Sequence, residues 1–290
     1  MRGVGVEAGR AAVRLARLPL EMAAEGVGQL TGQFGRAMSR RSSGPSAPPP
    51  ADSGIPVLLV HGLADGASIV SPLQRGLRGC GVGPFIPVAL NGFGPDIRTA
   101  ARALGDQVES ACARSGRPAV VIGYSLGGLV ARYYVQRLGG DAYVPLVLTL
   151  ATPHGGTATA LLAPPHPLLR QLQPGSELLT ELAEPTAGCR TQFVAFYSDL
   201  DEAVIPAARG RIDHPDLKAR NVLVPRVGHL TLPLHKPVID QVRALLTAAQ
   251  QATFPACSLY GTSAQRGGPV INGTAAVPRD SKGEAEDADR

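Results

Sequence analysis

One short run in this 290-residue sequence has the residue types and spacing for nucleophilic chemistry: Val120-Val-Ile-Gly123-Tyr124-Ser125-Leu126-Gly127-Gly128. A serine hydroxyl is a weak nucleophile until a neighbouring base takes its proton. A G-x-S-x-G run therefore carries meaning only with a strand before it, a helix after it and partner residues elsewhere. Both flanks are present: an apolar β-branched stretch leads in, and Leu126–Leu138 has helical composition. Gly123 and Gly127 lack a Cβ, so neighbouring chain can pack close to a sharp turn that presents Ser125 and its flanking Tyr124. The helix that starts there aims its N-terminal dipole at developing negative charge. The bland alternative, an ordinary glycine-rich strand–helix turn, weakens once partners are found.

The chemistry such a serine supports is cleavage of a carboxylic ester through a tetrahedral oxyanion, which needs preorganised donors. The backbone N–H of Leu126 is one candidate. Val60-His61-Gly62-Leu63 closes an earlier apolar run and offers the backbone N–H of Leu63 as the second. His61 precedes the serine, whereas the expected chain order is serine, acid, histidine. It is therefore assigned, with Gly62, to holding that loop. The acid is sought after Phe193–Tyr197, in Ser198-Asp199-Leu-Asp201-Glu202-Ala-Val204. Asp201 is preferred because Asp-x-x-Val puts it on the loop with Val204 anchored in the core. Asp199 is the rival and Glu202 a third option, otherwise a surface carboxylate. The base is sought last, in Val222-Leu-Val-Pro-Arg-Val-Gly228-His229-Leu230, where Gly228 permits a turn back over Ser125. His229 would take the serine proton, with Asp201 setting its tautomer. His235 is the rival base, but it stands where the last helix begins.

These residues need a scaffold, and the hydrophobic pattern supplies one. Apolar runs at Ile55–Val60, Phe85–Leu90, Ala119–Ile122, Val144–Leu150, Gln192–Tyr197 and Asn221–Val224 lack polar alternation, as strands buried on both faces do. Helical stretches at about Ile69–Arg78, Asp96–Ser115, Leu126–Leu138 and Lys236–Gln250 alternate with them. Alternation of this kind predicts an α/β fold: a doubly wound, mostly parallel sheet with helices on both faces.

Composition narrows the function classes. Aromatic content is 4% and Trp is absent, so stacking platforms for single-stranded nucleic acid are not expected. The formal charge of +5 comes mainly from scattered arginines, consistent with a solvated surface. Cys80, Cys112, Cys189 and Cys257 are too widely spaced for a CxxC-type metal or redox motif, and free thiols are expected, with a Cys80–Cys112 bridge as the alternative. No metal or cofactor is expected. No run approaches a spanning helix, and Arg10, Arg14 and Arg17 interrupt the place of a signal's apolar core. The expected location is the cytoplasm or a membrane surface, with export left open.

Three domains of composition follow: a basic extension and Pro-rich linker over 1–50, a catalytic domain over 51–253, and a disordered-type tail over 254–290. Arg10, Arg14 and Arg17 share one helical face, so residues 1–40 could form a basic amphipathic helix on a membrane, or equally a helix covering the catalytic domain or a frayed extension. The sequon Asn272-Gly-Thr274 is weak by itself.

Over residues 54–250 the sequence resembles the α/β-hydrolase lipases and esterases, especially compact bacterial lipases and the glycosylphosphatidylinositol-deacylase-like group. Val60-His-Gly-Leu63, Gly123-Tyr-Ser-Leu-Gly-Gly128, Ala151-Thr-Pro-His-Gly-Gly-Thr157 and the Asp201 and Gly228-His229 loops carry the resemblance. It implies that Ala151–Thr157 packs beside the nucleophile with His154 in a supporting role, and that residues 158–190 form a lid-like insertion. A packed helix without gating is the alternative for that insertion. The implied function is a serine lipase or esterase acting on a small ester or lipid substrate. An acyltransferase using the same residues, or a non-catalytic membrane- or partner-binding module on the same scaffold, are the alternatives. Oligomeric state is not legible.

Overall fold

A computed structural model describes residues 54–63, 66–79, 81–88, 96–163 and 166–252. The basic extension, the linker, the tail with its sequon, and Cys80, on which the alternative of a bridge to Cys112 depends, lie outside the described residues. Among the described residues, six strands form one parallel sheet: β1 (Val57–Val60), β2 (Phe85–Pro87), β3 (Val120–Tyr124), β4 (Leu146–Leu150), β5 (Gln192–Tyr197) and β6 (Lys218–Leu223). Their spatial order is β2-β1-β3-β4-β5-β6. The helices are α1 (Gly66–Leu77), α2 (Ile97–Ser115), α3 (Leu126–Arg137), α4 (Thr159–Leu162), α5 (Pro167–Gln171), α6 (Glu177–Ala183) and α7 (Lys236–Gln251).

Period-2 geometry sends alternate side chains of each strand to opposite faces. Leu58, Val60, Val121, Val147 and Phe193 face a core shared with α2, α3 and α6. Val57, Leu59, Val120, Ile122, Leu148 and Phe196 face a second core shared with α1 and α7. Phe193 and Phe196 are both fully buried, one on each face of β5. Each such side chain contributes about 1.5–3 kcal/mol through burial. The fold is therefore the doubly wound parallel α/β sheet expected.

The chain leaves β1 through α1 toward β2 and returns through α2 to β3, the two helices lying on opposite faces. The strand order thus reverses between β1 and β3, and the crevice at their carboxyl ends is where open α/β sheets bind ligands. The loop His61–Leu63 and Ser125 both emerge there.

Strands β1, β3 and β4 shift by one or two residues at an end, and two strands differ more from expectation. β6 begins three residues earlier, because Lys218, Arg220 and Asn221 belong to an edge strand that is only partly covered and so lacks a continuous apolar run. β2 is short; Pro87 pairs with Leu59 at the opposite edge, where a missing N–H costs no ladder bond. Residues 89 and 90 of that predicted run lie outside the described residues. Helix α2 is capped by the Asp96 side chain, which accepts from Arg98 N, and closes on Gly116 in the left-handed conformation at φ 66°.

Candidate active site

Ser125 follows β3 directly and precedes the first turn of α3. Its backbone is held at φ 52°, ψ −120°, a conformation that non-glycine residues rarely occupy. The neighbours enforce it: Ser125 N donates to Leu150 O at 2.8 Å, and Gly128 N donates to Ser125 O at 3.1 Å. Space enforces it as well. A Cβ on Gly123 would lie 2.6 Å from the Gly127 carbonyl, and one on Gly127 would lie 2.4 Å from the Val60 carbonyl. Only glycines at both positions let the turn close against β1.

His229 Nε2 lies 3.0 Å from Ser125 Oγ. On the other side of the ring, Nδ1 lies 2.9 Å from Asp201 Oδ1 and 3.0 Å from Oδ2. The carboxylate accepts only, so Nδ1 carries the hydrogen and Nε2 is left to accept from the serine hydroxyl, an assignment made from the partners. Asp201 is itself fixed: Oδ1 accepts from Ala203 N at 2.9 Å and Val204 N at 2.8 Å, and Val204 is buried as an anchor. Both His229 and Asp201 are buried, and the Tyr124 ring packs 5.3 Å from the imidazole centre. The Tyr124 hydroxyl reaches the His229 carbonyl at 3.5 Å.

The rival residues are placed elsewhere. Asp199 Oδ1 accepts from Arg226 N at 2.6 Å, and His235 occupies the N-cap of α7. Glu202 is not a plain surface carboxylate: its Oε2 accepts the backbone N–H of His229 at 2.9 Å. Sequence reasoning missed that role, since nothing local says which way a loop glutamate turns.

Of the oxyanion candidates, Leu126 opens α3, so its N–H has no partner within the helix. Leu63 sits on the loop after β1 with its side chain exposed. In that loop His61 Nδ1 lies 2.8 Å from the Gly62 carbonyl. Gly62 is packed so tightly on the site that a Cβ there would lie 3.0 Å from the Cβ of Ser125.

The stretch Ala151–Thr157 braces the site from β4. Thr157 Oγ1 donates to Ala203 O at 2.7 Å and accepts from Ile205 N at 3.0 Å, tying this stretch to the loop that carries Asp201. His154 is buried with Nε2 2.9 Å from Thr149 Oγ1, and burial, with Arg132 adding to it, pushes its ring well below the usual histidine range. Arg132 is buried too, and desolvation pulls its guanidinium down to about 10. It donates to Gln136 Oε1 at 2.6 Å, to Leu182 O at 3.0 Å and to His154 O at 3.3 Å. These bonds rivet α3, α6 and the His154 turn together.

Within 158–190 the segments differ. Helix α6 buries Leu178, Leu179 and Leu182 against the α3 side of the core, and Glu181 pairs with Arg98 and Tyr133. Helix α4 instead leaves Leu161 59% and Leu162 68% exposed. Among the described residues, no group of three or more His, Cys, Asp or Glu could hold a metal ion, and no helix is long and apolar enough to cross a membrane. Cys189 is a buried thiol outside any disulfide.

A doubly wound parallel sheet with a serine on the strand–helix turn at its switch point defines the α/β-hydrolase class. Within that class the chain belongs to the palmitoyl protein thioesterase family, whose model matches residues 56–208, from β1 through the loop that carries Asp201. Solved structures agree on the fold. Aspergillus fumigatus lipase B superposes with a TM-score of 0.57 at 17% identity, covering 71% of this chain and 54% of that one. The mature form of Bacillus licheniformis lipase BlEst2 gives 0.54 at 18% identity, covering 71% and 96%. A structure from the metagenome-derived lipolytic enzymes LipS and LipT gives 0.52 at 13%, covering 67% and 94%. The chain thus spans about half of the Aspergillus lipase and nearly all of the other two. No curated protein matches the sequence significantly. The expected kinship with lipases and esterases of the α/β-hydrolase fold holds.

Proposed function

We propose that the protein is a serine hydrolase that cleaves carboxylic esters, with fatty acyl thioesters and oxygen esters as the substrate class, through an acyl-enzyme intermediate. One observation carries the reading: a continuous relay from Ser125 Oγ to His229 Nε2 at 3.0 Å and from His229 Nδ1 to Asp201 at 2.9 Å.

In the proposed reaction His229 takes the Ser125 proton as Oγ attacks the acyl carbon. The buried Asp201 carboxylate stabilises the imidazolium that forms. The oxyanion is received by the N–H groups of Leu126 and Leu63. His229 then returns the proton to the departing alcohol or thiol, and the C–O or C–S bond breaks. Water, deprotonated by His229, attacks the acyl carbon of the Ser125 ester; the bond to Oγ breaks, His229 returns the proton to Oγ, and the acid leaves. Long acyl chains are favoured by the family match and by the exposed Leu161 and Leu162, which follow the strand of bonds that ties Thr159 Oγ1 to the acid loop at Ala203 O, 2.8 Å.

The test is hydrolysis of chromogenic oxygen esters and thioesters of increasing chain length by the native chain and by Ser125→Ala, each with its melting temperature measured. The expected result is activity in the native chain and a loss of at least about a thousandfold in the variant. Equal activity in both, or none in either, refutes the assignment.

A further inference from the structure

Two adjacent carboxylates grip His229, and the proposed reaction uses only one. Asp201 accepts from the ring, while Glu202 Oε2 accepts the main-chain N–H of the same residue at 2.9 Å across 27 positions of sequence. Gly228 leaves room for the approach, since a Cβ there would lie 3.1 Å from Glu202 Oε2, a tight contact, and 3.5 Å from Oε1. Beyond the histidine, Leu232 N at 3.0 Å and Thr231 Oγ1 at 3.1 Å both donate to the Gly228 carbonyl, closing the turn. The acid loop holds the preceding residues in the same way: Ser198 Oγ accepts from Val227 N at 3.2 Å and Asp199 Oδ1 from Arg226 N at 2.6 Å. Of these three side-chain acceptors, Glu202 alone acts on the histidine itself.

Asp201 and Ser125 hold the ends of the ring, and the Tyr124 hydroxyl reaches the His229 carbonyl only at 3.5 Å, so without Glu202 the His229 main chain would lose its shortest hydrogen bond to a side chain and the ring could shift with it. Proton transfer from Ser125 needs Nε2 within hydrogen-bond reach of Oγ. We propose that Glu202 is a positioning residue that fixes the His229 backbone and thereby the Nε2–Oγ distance; this rests on His229 serving as the base. A charged acceptor suits the task, because hydrogen bonds to an ionised oxygen are shorter and stronger than those to a neutral one.

The experiment compares the full chain with Glu202→Ala and Glu202→Gln, using ester kinetics and, at one fixed pH, NMR of the 15N-labelled histidine rings. Glu202→Ala is expected to lower kcat about 10- to 100-fold, as misplacement of a reacting group does, while KM stays within about twofold. Glu202→Gln keeps a carbonyl acceptor and recovers most of that loss. The His229 ring signals shift or broaden in Glu202→Ala while those of the other histidines stay in place. Should Glu202→Ala not fold, Glu202→Asp withdraws the carboxylate by one methylene and carries the same expectations. A native kcat in Glu202→Ala overturns the proposal. So does a loss of kcat with unmoved His229 signals, or a lowered melting temperature as the only change. The ring signals also separate this proposal from the reading beneath it: a native chain without esterase activity, with His229 still displaced in Glu202→Ala, would refute the hydrolase and leave the positioning intact.

Discussion

Asp201 makes two kinds of contact, and two substitutions separate them. Its Oδ1 accepts from the backbone N–H groups of Ala203 and Val204 at 2.9 and 2.8 Å, and the carboxylate as a whole faces His229 Nδ1. In Asp201→Asn the two backbone donors dictate which end of the amide turns toward them: the oxygen takes the Oδ1 place and the NH2 takes the Oδ2 place, 3.0 Å from Nδ1. The loop keeps its acceptor. The imidazole keeps the amide oxygen 2.9 Å from Nδ1, but it gains a competing donor at the Oδ2 place and loses the negative charge that stabilises it once protonated. Activity is therefore expected to fall by about 10³- to 10⁴-fold, or about 4–5.5 kcal/mol of transition-state stabilisation, with the melting temperature little changed. Asp201→Ala removes the acceptor as well and strands two N–H groups, one on the buried Val204. At about 1–3 kcal/mol per unsatisfied buried donor, softened where water enters, this costs about 2–4 kcal/mol. For a domain of this size that corresponds to roughly 4–16 °C in melting temperature. Chromogenic ester kinetics and thermal melts on the two variants make the comparison. Asp201→Asn within about tenfold of native activity would refute the tautomer and charge argument. Equal melting temperatures for the two variants would refute the loop argument.

Three further outcomes are expected. Gly127→Ala places a Cβ 2.4 Å from the Val60 carbonyl and 2.6 Å from that of His61; overpacking of this kind costs about 1–3 kcal/mol, so the melting temperature should drop by about 2–12 °C and ester turnover should fall with it. A native melting curve would contradict the close approach. His154 is buried with its pKa held well below 6.5, so the unfolded chain binds a proton that the folded chain refuses. That contribution is complete above about pH 6.5 and is lost as pH falls below it, at up to about 1.4 kcal/mol per pH unit. Thermal melts between pH 7.5 and 5.5 should decline less steeply for His154→Gln than for the native chain, and equal slopes would count against a neutral buried ring. Finally, serine at Leu161 and Leu162, which are 59% and 68% exposed, should change stability by no more than about 0.5 kcal/mol. The same change should raise KM for long-chain esters more than for acetate, and an equal effect on both would remove these leucines from acyl binding.

Strands β1, β3, β4 and β5 were legible because each carries an apolar run buried on both faces, the pattern that a parallel sheet interior demands, alternating with helical stretches. β6 was partly hidden because an edge strand can expose Lys218 and Arg220. The Ser125 turn was legible for a steric reason: Gly123, Gly127 and Gly128 recur at spacings that a close crossing of strand and helix requires, and that requirement is local. Asp201 was separated from Asp199 by Val204 three residues on, an apolar residue that must be buried and so sets which carboxylate turns inward.

Other features had no local signature. The pairing of Glu202 with His229 N, of Thr157 with Ala203 O, and of Arg132 with carbonyls on α6 and the His154 turn each joins segments far apart in sequence. The insertion 158–190 likewise looked uniform, yet α6 is clamped to α3 while α4 presents its leucines outward. The sequence by itself determined the periodicities and the strained serine turn, because backbone sterics and burial act on neighbouring residues, and it set the chain order of Ser125, Asp201 and His229. Tertiary structure alone decided which loop side chain meets which distant backbone donor, because a hydrogen bond is directional and short, and its partner exists only once the sheet has brought the ends of β3, β5 and β6 together.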